Sequence, residues 1–164
     1  GFGKEFAVDL VSKKLKTLSC KNYLIDFGGD IFAAGYSAED YGWKVGIERP
    51  EGGEKPTFVL NLSNQALATS GNYRKYFDLN GKRYGHTIDH RTGYPTIHSE
   101  LSASVISSSC LTSGIISTSC LMAGRQEGLR MIDSEWKVEG CIQSFDSPLL
   151  SNKFYDYIYD ESAP

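Results

Sequence analysis

"FAVDLVSKKLKTLSCKNYLIDFGGDIFAAG" occupies residues Phe6 to Gly35 and contains the transition on which the fold turns. Its first part, Phe6 to Leu18, sets Ala7, Val11, Leu15 and Leu18 at spacings of four, four and three with lysines between them. That is the period of an amphipathic helix. From Asn22 the pattern changes to a β-rich run broken by Gly28-Gly29, which predicts a strand, a tight bend or bulge, and a second strand. A helix running straight into paired strands implies a layered α+β fold, with a mixed or antiparallel sheet against a few helices.

The rest of the chain extends that layer. "WKVGIERP" alternates Trp43, Val45 and Ile47, and "FVLNLS" alternates Phe58, Leu60 and Leu62, each as a strand, with "EGGEK" as the exposed turn between them. Asn80-Gly81 signals a type I′ hairpin that delivers His86 and Asp89 to the end of its second strand. "ELSASVISSS" reads as a half-buried strand, with Leu101, Ala103 and Val105 alternating with Ser102 and Ser104. "CLTSGIISTSCLMAG" reads as a buried helix built on Leu111, Ile115, Ile116, Cys120 and Met122 and capped by Gly124. Gly114 inside it runs against helix propensity by about 1 kcal/mol relative to alanine. "GLRMI" extends or follows that helix, "EWKVEGCIQSF" gives one or two closing strands, and "SNKFYDYIYD" a short terminal helix or strand.

A length of 164 residues suits a single domain with a real core. With 40 % hydrophobic and 23 % charged residues the composition is that of a globular protein rather than a disordered or fibrous one. The net charge of −3 offers no basic stripe for nucleic acid. Cys20, Cys110, Cys120 and Cys141 form no CxxC pair, so they read as small buried hydrophobes rather than zinc ligands or a disulfide framework. No run approaches the roughly 18–20 apolar residues of a transmembrane helix, and the first residues lack the pattern of a signal peptide.

Four islands carry more polar chemistry than a scaffold needs. "GKEFAVD" puts Asp9 in the first turns of a helix, where the helix dipole favours a carboxylate. "FGGD" supplies a glycine bend that lets backbone approach a ligand. "ALATSGNYR" offers hydroxyls, a turn at Gly71 and a guanidinium suited to phosphate or carboxylate. "HTIDHRTGYP" places His86, an imidazole suited to accepting a hydroxyl proton or holding a phosphate oxygen, beside Asp89 and Arg91, which read as an ion pair bracing the loop.

In order and spacing these islands resemble the ApbE family, the FAD:protein FMN transferases, and "SASVISSSCLTSGIISTSCLMAG" resembles that family's next strand and metal-binding helix. The likeness runs through residues 1–164 as one ApbE-like, T-fold-related segment that lacks the family's amino-terminal region and reads as its carboxy-terminal half to two-thirds. It implies binding of FAD, Mg²⁺-assisted cleavage of its pyrophosphate, and transfer of FMN to a threonine or serine of an acceptor protein. The physical logic is that of other phosphoryl transfers, in which a cation neutralises pyrophosphate oxygens and a positioned group takes the hydroxyl proton. The resemblance assigns His86 to catalysis, Asp9, Ser12, Thr69, Ser70, Arg74 and Gly93 to the flavin pocket, and the Ala7 carbonyl with Thr118 to the metal. Family members are exported or membrane-tethered in bacteria, so it also implies a periplasmic or membrane-anchored location through a segment outside this chain.

The chain departs from the family pattern at three positions. Glu5 stands where the pattern "KGYAVD" has glycine, and His90 where "HxIDPRTGxP" has proline. In the helix the pattern "ADAxxT" becomes "SGIIST": Thr118 is kept, and Gly114 takes the aspartate position. Loss of that carboxylate is expected to lower Mg²⁺ affinity, and Gly114→Asp to restore it. Two functional readings follow, a working transferase and a catalytically degenerate flavin-binding relative. A third is a structural domain in a larger assembly.

Overall fold

The computed structural model describes residues 2–38, 41–50, 52–72, 76–79, 82–95, 102–135, 137–144 and 147–160. Helix α1 (Gly3–Thr17) leads into β1 (Tyr23–Phe27) and β2 (Asp30–Ala34), joined by the two-residue loop Gly28-Gly29. Both glycines have positive φ, 64° and 90°, as a type I′ turn requires, and the Gly29 amide donates to Asp26 Oδ1 at 2.9 Å. The glycine pair is therefore a tight hairpin turn, not a bulge.

Next come β3 (Trp43–Ile47), β4 (Phe58–Leu62), β5 (Gln65–Gly71), β6 (Tyr76–Leu79), β7 (Lys82–Gly85) and β8 (Ser102–Ser107). Helices α2 (Cys110–Ala123) and α3 (Arg125–Ser134), strands β9 (Glu139–Gln143) and β10 (Leu149–Leu150), and a 3-10 turn (Phe154–Tyr157) complete the described elements. Six strands form one sheet in the order β1-β2-β5-β8-β9-β10, with every neighbouring pair antiparallel. β3-β4 and β6-β7 are separate hairpins.

The large sheet is covered on both faces. On one, Val45, Ile47, Leu60 and Leu62 of the β3-β4 hairpin and Phe154 of the 3-10 turn pack on Ile31, Ala33, Leu67, Ile106 and Cys141. On the other lie the helices: Val8 of α1 meets Phe32, Ala34, Ala66 and Cys110, while Cys120, Leu121 and Ile132 of α2 and α3 cover Ala103, Val105 and Ile142. β8 sits in the middle of this three-layer stack, so all six of its residues are buried. The half-buried strand expected from its Ala/Ser alternation is corrected, because its serines face a second covering layer instead of water.

Both long helices present an unexpected face to the interior. α1 buries Glu5, Val8 and Ser12, while Phe6, Leu10, Val11 and Leu18 are exposed. α2 buries Cys110, Ser113, Gly114, Ser117, Cys120 and Leu121 and leaves Ile115 42 % exposed. The buried residues still recur at helical spacing, but small size rather than hydrophobicity selects them. Small side chains let α2 lie close to β5, β8 and α1 at once, which branched isoleucines would prevent.

Candidate active site at the α1–α2 junction

Strand alternation in β5 sends consecutive hydroxyls to opposite faces of the sheet. Ser70 points to the helical layer, where its Oγ lies 2.9 Å from both Ser117 Oγ and Thr118 Oγ1. Thr69 points the other way and pairs with Ser104 Oγ at 2.7 Å. Ser70 and Thr118 are thus brought together, and Thr69 lies on the far side of the sheet from them.

The start of α1 meets the start of α2 through Asp9. One carboxylate oxygen accepts from the Cys110 amide at 2.8 Å; the other accepts from Ser109 Oγ at 2.8 Å and the Leu111 amide at 3.0 Å. A carboxylate on the unsatisfied N–H groups of a helix start is favoured by both hydrogen bonding and the dipole. Asp9 therefore locks the two helices in register. Ser12, one turn on, exchanges a 3.0 Å hydrogen bond with the Tyr23 hydroxyl. Lys4 forms an ion pair with the buried Asp30, which raises the lysine pKa.

Glu5 lies between these features. Its side chain is 9 % exposed, and Oε2 is buried with no hydrogen-bond partner. It occupies the space over Gly114: a Cβ there would stand 2.7 Å from Glu5 Cγ and 2.9 Å from Oε1. The glycine is therefore a recess filled by the glutamate. Restoring aspartate at Gly114 alone would collide with Glu5, which changes the expectation drawn from the sequence. Among the described residues no three His, Cys, Asp or Glu side chains gather as a metal cluster. The donor set here is one carboxylate with hydroxyls, the chemistry of a hard cation.

The His86 loop is tethered to the end of β5. Thr87 Oγ1 donates to Asn72 Oδ1 at 2.9 Å, and Gly85 lies so close to Asn72 that a Cβ would be 2.6 Å from its Cγ. His86 is exposed between these anchors. Beyond it, Arg91 binds Asp89 through Nε at 3.0 Å, Nη2 at 2.7 Å and its own amide at 2.9 Å. These donors hold the Asp89 carboxyl down at about 2. Gly93, with φ of 73°, donates its amide to the Asp89 carbonyl at 2.8 Å, and an Ile88–Pro95 bridge closes the loop. Arg74, His98 and the Asn80-Gly81 turn lie outside the described residues.

The ApbE family model matches residues 1–142. The chain belongs to the ApbE family. It is similar to proteins named FAD:protein FMN transferase from Haemophilus influenzae, 38 % identical over 79 % of this chain and 38 % of that protein, and from Vibrio cholerae, 31 % identical over 80 % and 40 %. It therefore spans about two-fifths of the length of the curated relatives it matches. The solved Pseudomonas stutzeri flavinyl transferase ApbE, apo form, is 28 % identical with a TM-score of 0.80, over 93 % of this chain and 48 % of that one. The Thermotoga maritima ApbE protein gives 0.82 at 25 % identity, over 96 % and 52 %. The α+β architecture is thus that of ApbE flavin transferases.

Within this ApbE chain, sequence reasoning passed over Glu5, Ser117 and Asn72 as site residues. Glu5 had a signal: it breaks the family pattern, and so does Gly114. Ser117 and Asn72 had none, since serines abound in α2 and the Asn72 contact depends on how the loop folds back.

Proposed function

We propose that this chain carries the catalytic and metal-binding part of an FAD:protein FMN transferase, which moves FMN from FAD to a threonine or serine hydroxyl of an acceptor protein. The observation that carries this reading is the convergence of Ser70, Ser117 and Thr118 with a buried, incompletely partnered carboxylate in a chain of the ApbE family. It favours a working transferase over a degenerate relative, because a decaying site has no reason to gain a buried carboxylate where the family pattern has glycine.

In this reading the acceptor hydroxyl oxygen attacks the FMN-side phosphorus. The bond from that phosphorus to the bridging oxygen breaks, AMP leaves, and a phosphate ester joins FMN to the acceptor. His86 takes the hydroxyl proton, a role open to an exposed imidazole on a braced loop. Ser70, Arg74 and the Gly93 turn belong to the flavin pocket. Asp9, with its oxygens on α2, and Ser12, held by Tyr23, position the helices that line it. The Thr118 hydroxyl and Ala7 carbonyl would hold Mg²⁺, which supplies charge neutralisation at the pyrophosphate. Activity outside the cytoplasm or at a membrane is part of the same proposal; among the described residues no helix is long and apolar enough to cross one.

The test is FAD titration by fluorescence with and without Mg²⁺, followed by assay of AMP release in the presence of a threonine-bearing acceptor. Saturable, metal-dependent binding with AMP appearing is expected, and His86→Ala should bind FAD while releasing little AMP. Binding indifferent to Mg²⁺ with no AMP would mark a degenerate relative and overturn the reading.

A further inference from the structure

Glu5 is the buried ionisable group that the roles above leave unexplained. It is nine-tenths buried, and Oε2 has neither a donor nor water-exposed area. A carboxylate oxygen in that state is costly unless something positive or hydrogen-donating completes it. The nearby cation, Lys4, gives its hydrogen bond to Asp30 and acts on Glu5 only through space. Two hydroxyl residues lie one turn along α2 from Gly114: Ser117, whose Oγ donates to the Gly114 carbonyl at 3.1 Å, and Thr118. The local field is negative. Burial first, then Asp30, Asp9 and Glu5, push the Cys110 thiol up to about 12, with Lys4 opposing them.

We infer that Glu5 is the carboxylate ligand of a divalent cation at the α1–α2 junction, and that Glu5 and Gly114 are a reciprocal exchange which moves this carboxylate from α2 to α1. The exchange is steric as well as chemical. Gly114 has no Cβ because the Glu5 side chain fills that volume, with Cγ, Oε1 and Cδ at 2.7, 2.9 and 3.1 Å from where a Cβ would be. Either residue can bring a carboxylate to this recess, but both cannot. The cation needs one such group together with hydroxyl, carbonyl and phosphate oxygens, which suits Mg²⁺, commonly held by one or two carboxylates plus substrate phosphates. The inference rests on the proposed reading only for the purpose of the cation; the site itself is argued from this chain's residues.

The test is Mn²⁺ binding to the protein, followed by electron paramagnetic resonance without flavin. Glu5→Gln, which keeps the shape and removes the charge, should weaken binding by about tenfold or more. Gly114→Asp alone should not strengthen it, whereas the double variant Glu5→Gly with Gly114→Asp should recover the original affinity. Unchanged affinity in Glu5→Gln overturns the inference. A measurement on the unaltered protein guards against a variant that fails to fold: Mn²⁺ should broaden the Gly114 and Thr118 amide resonances first, and broadening centred elsewhere overturns the site. FAD fluorescence run in parallel separates the two ideas. Glu5-dependent Mn²⁺ binding without FAD binding supports the cation site while sinking the flavin reading. FAD binding with AMP release unaltered in Glu5→Gln leaves the flavin reading intact and overturns this one.

Discussion

The hairpin side of the six-stranded sheet and the α1–α2 junction on its other side are packed by different rules. Beneath it, the β3-β4 hairpin and the 3-10 turn contribute Val45, Ile47, Leu60, Leu62 and Phe154, an apolar layer. Above it, at the α1–α2 junction, the buried residues include Glu5, Ser12, Ser113, Gly114 and Ser117, while Phe6, Leu10 and Ile115 are turned outward. Apolar burial contributes roughly 25 cal/mol per Å² removed from water, so the lower layer carries stability. The upper junction contributes less per residue and gains close approach and hydroxyl density. The junction is thus a polar inset in a helical layer that elsewhere, at Cys120, Leu121 and Ile132, is as apolar as the hairpin side.

The comparison breaks most visibly at Leu60, a hairpin residue fully buried against the sheet. Leu60→Ala should cost about 2–5 kcal/mol, seen as a lower urea midpoint at unchanged m-value. A loss below about 1 kcal/mol would mean the lower layer is not the stabilising one. Asp9→Ala comes next, since it strips three donors at the start of α2 of their acceptor. It should cost about 1–2 kcal/mol in the same measurement. Ser117 is as buried as Leu60, yet Ser117→Ala should shift stability by no more than about 1 kcal/mol, the net worth of a hydrogen bond, because Ser70 keeps Thr118 as partner. Equal losses at Leu60 and Ser117 would erase the distinction between the two faces.

Two smaller effects sharpen it. Cys110, Cys120 and Cys141 are buried, and burial pushes each thiol up to about 12, whereas Cys20 is exposed. Alkylation of the native protein at pH 8, followed by mass spectrometry, should label Cys20 alone, with the other three reacting only on unfolding. Labelling of native Cys110 would show that the α1–α2 junction opens. The smallest effect concerns Asp89, depressed from the ordinary 3.8 to about 2 by Arg91. A lowered carboxyl pKa favours the folded loop above the ordinary value, and that contribution is lost as pH falls from near 4 towards 2. Because Arg91 is exposed, global stability should hardly follow; the Arg91 Nε resonance, titrated by NMR, should move with a midpoint near 2.

Much of the architecture was legible in the residues. The Gly28-Gly29 pair, the alternation of Val45, Ile47, Leu60 and Leu62, and Gly124 at the end of α2 each act locally, through positive φ, strand period and helix capping. The braced Asp89–Arg91 loop was equally local, two residues apart in the chain. The buried helix faces were not legible. Hydrophobic periodicity pointed to Val11, Leu18 and Ile115, but packing chose the small residues instead. Nor did adjacency in sequence make Thr69 and Ser70 neighbours in the site, since a strand sends them to opposite faces.

The sequence by itself determined the α+β layering, the hairpin turns, the family pattern and the three places where that pattern breaks, because periodicity, turn chemistry and motif spacing are properties of short segments. Only the tertiary structure brought two of those breaks, Glu5 and Gly114, into contact. Glu5 and Gly114 are far apart along the chain, and no local rule couples them; the coupling comes from Asp9 holding α1 on the start of α2, which sets the glutamate side chain in the volume that the glycine leaves open.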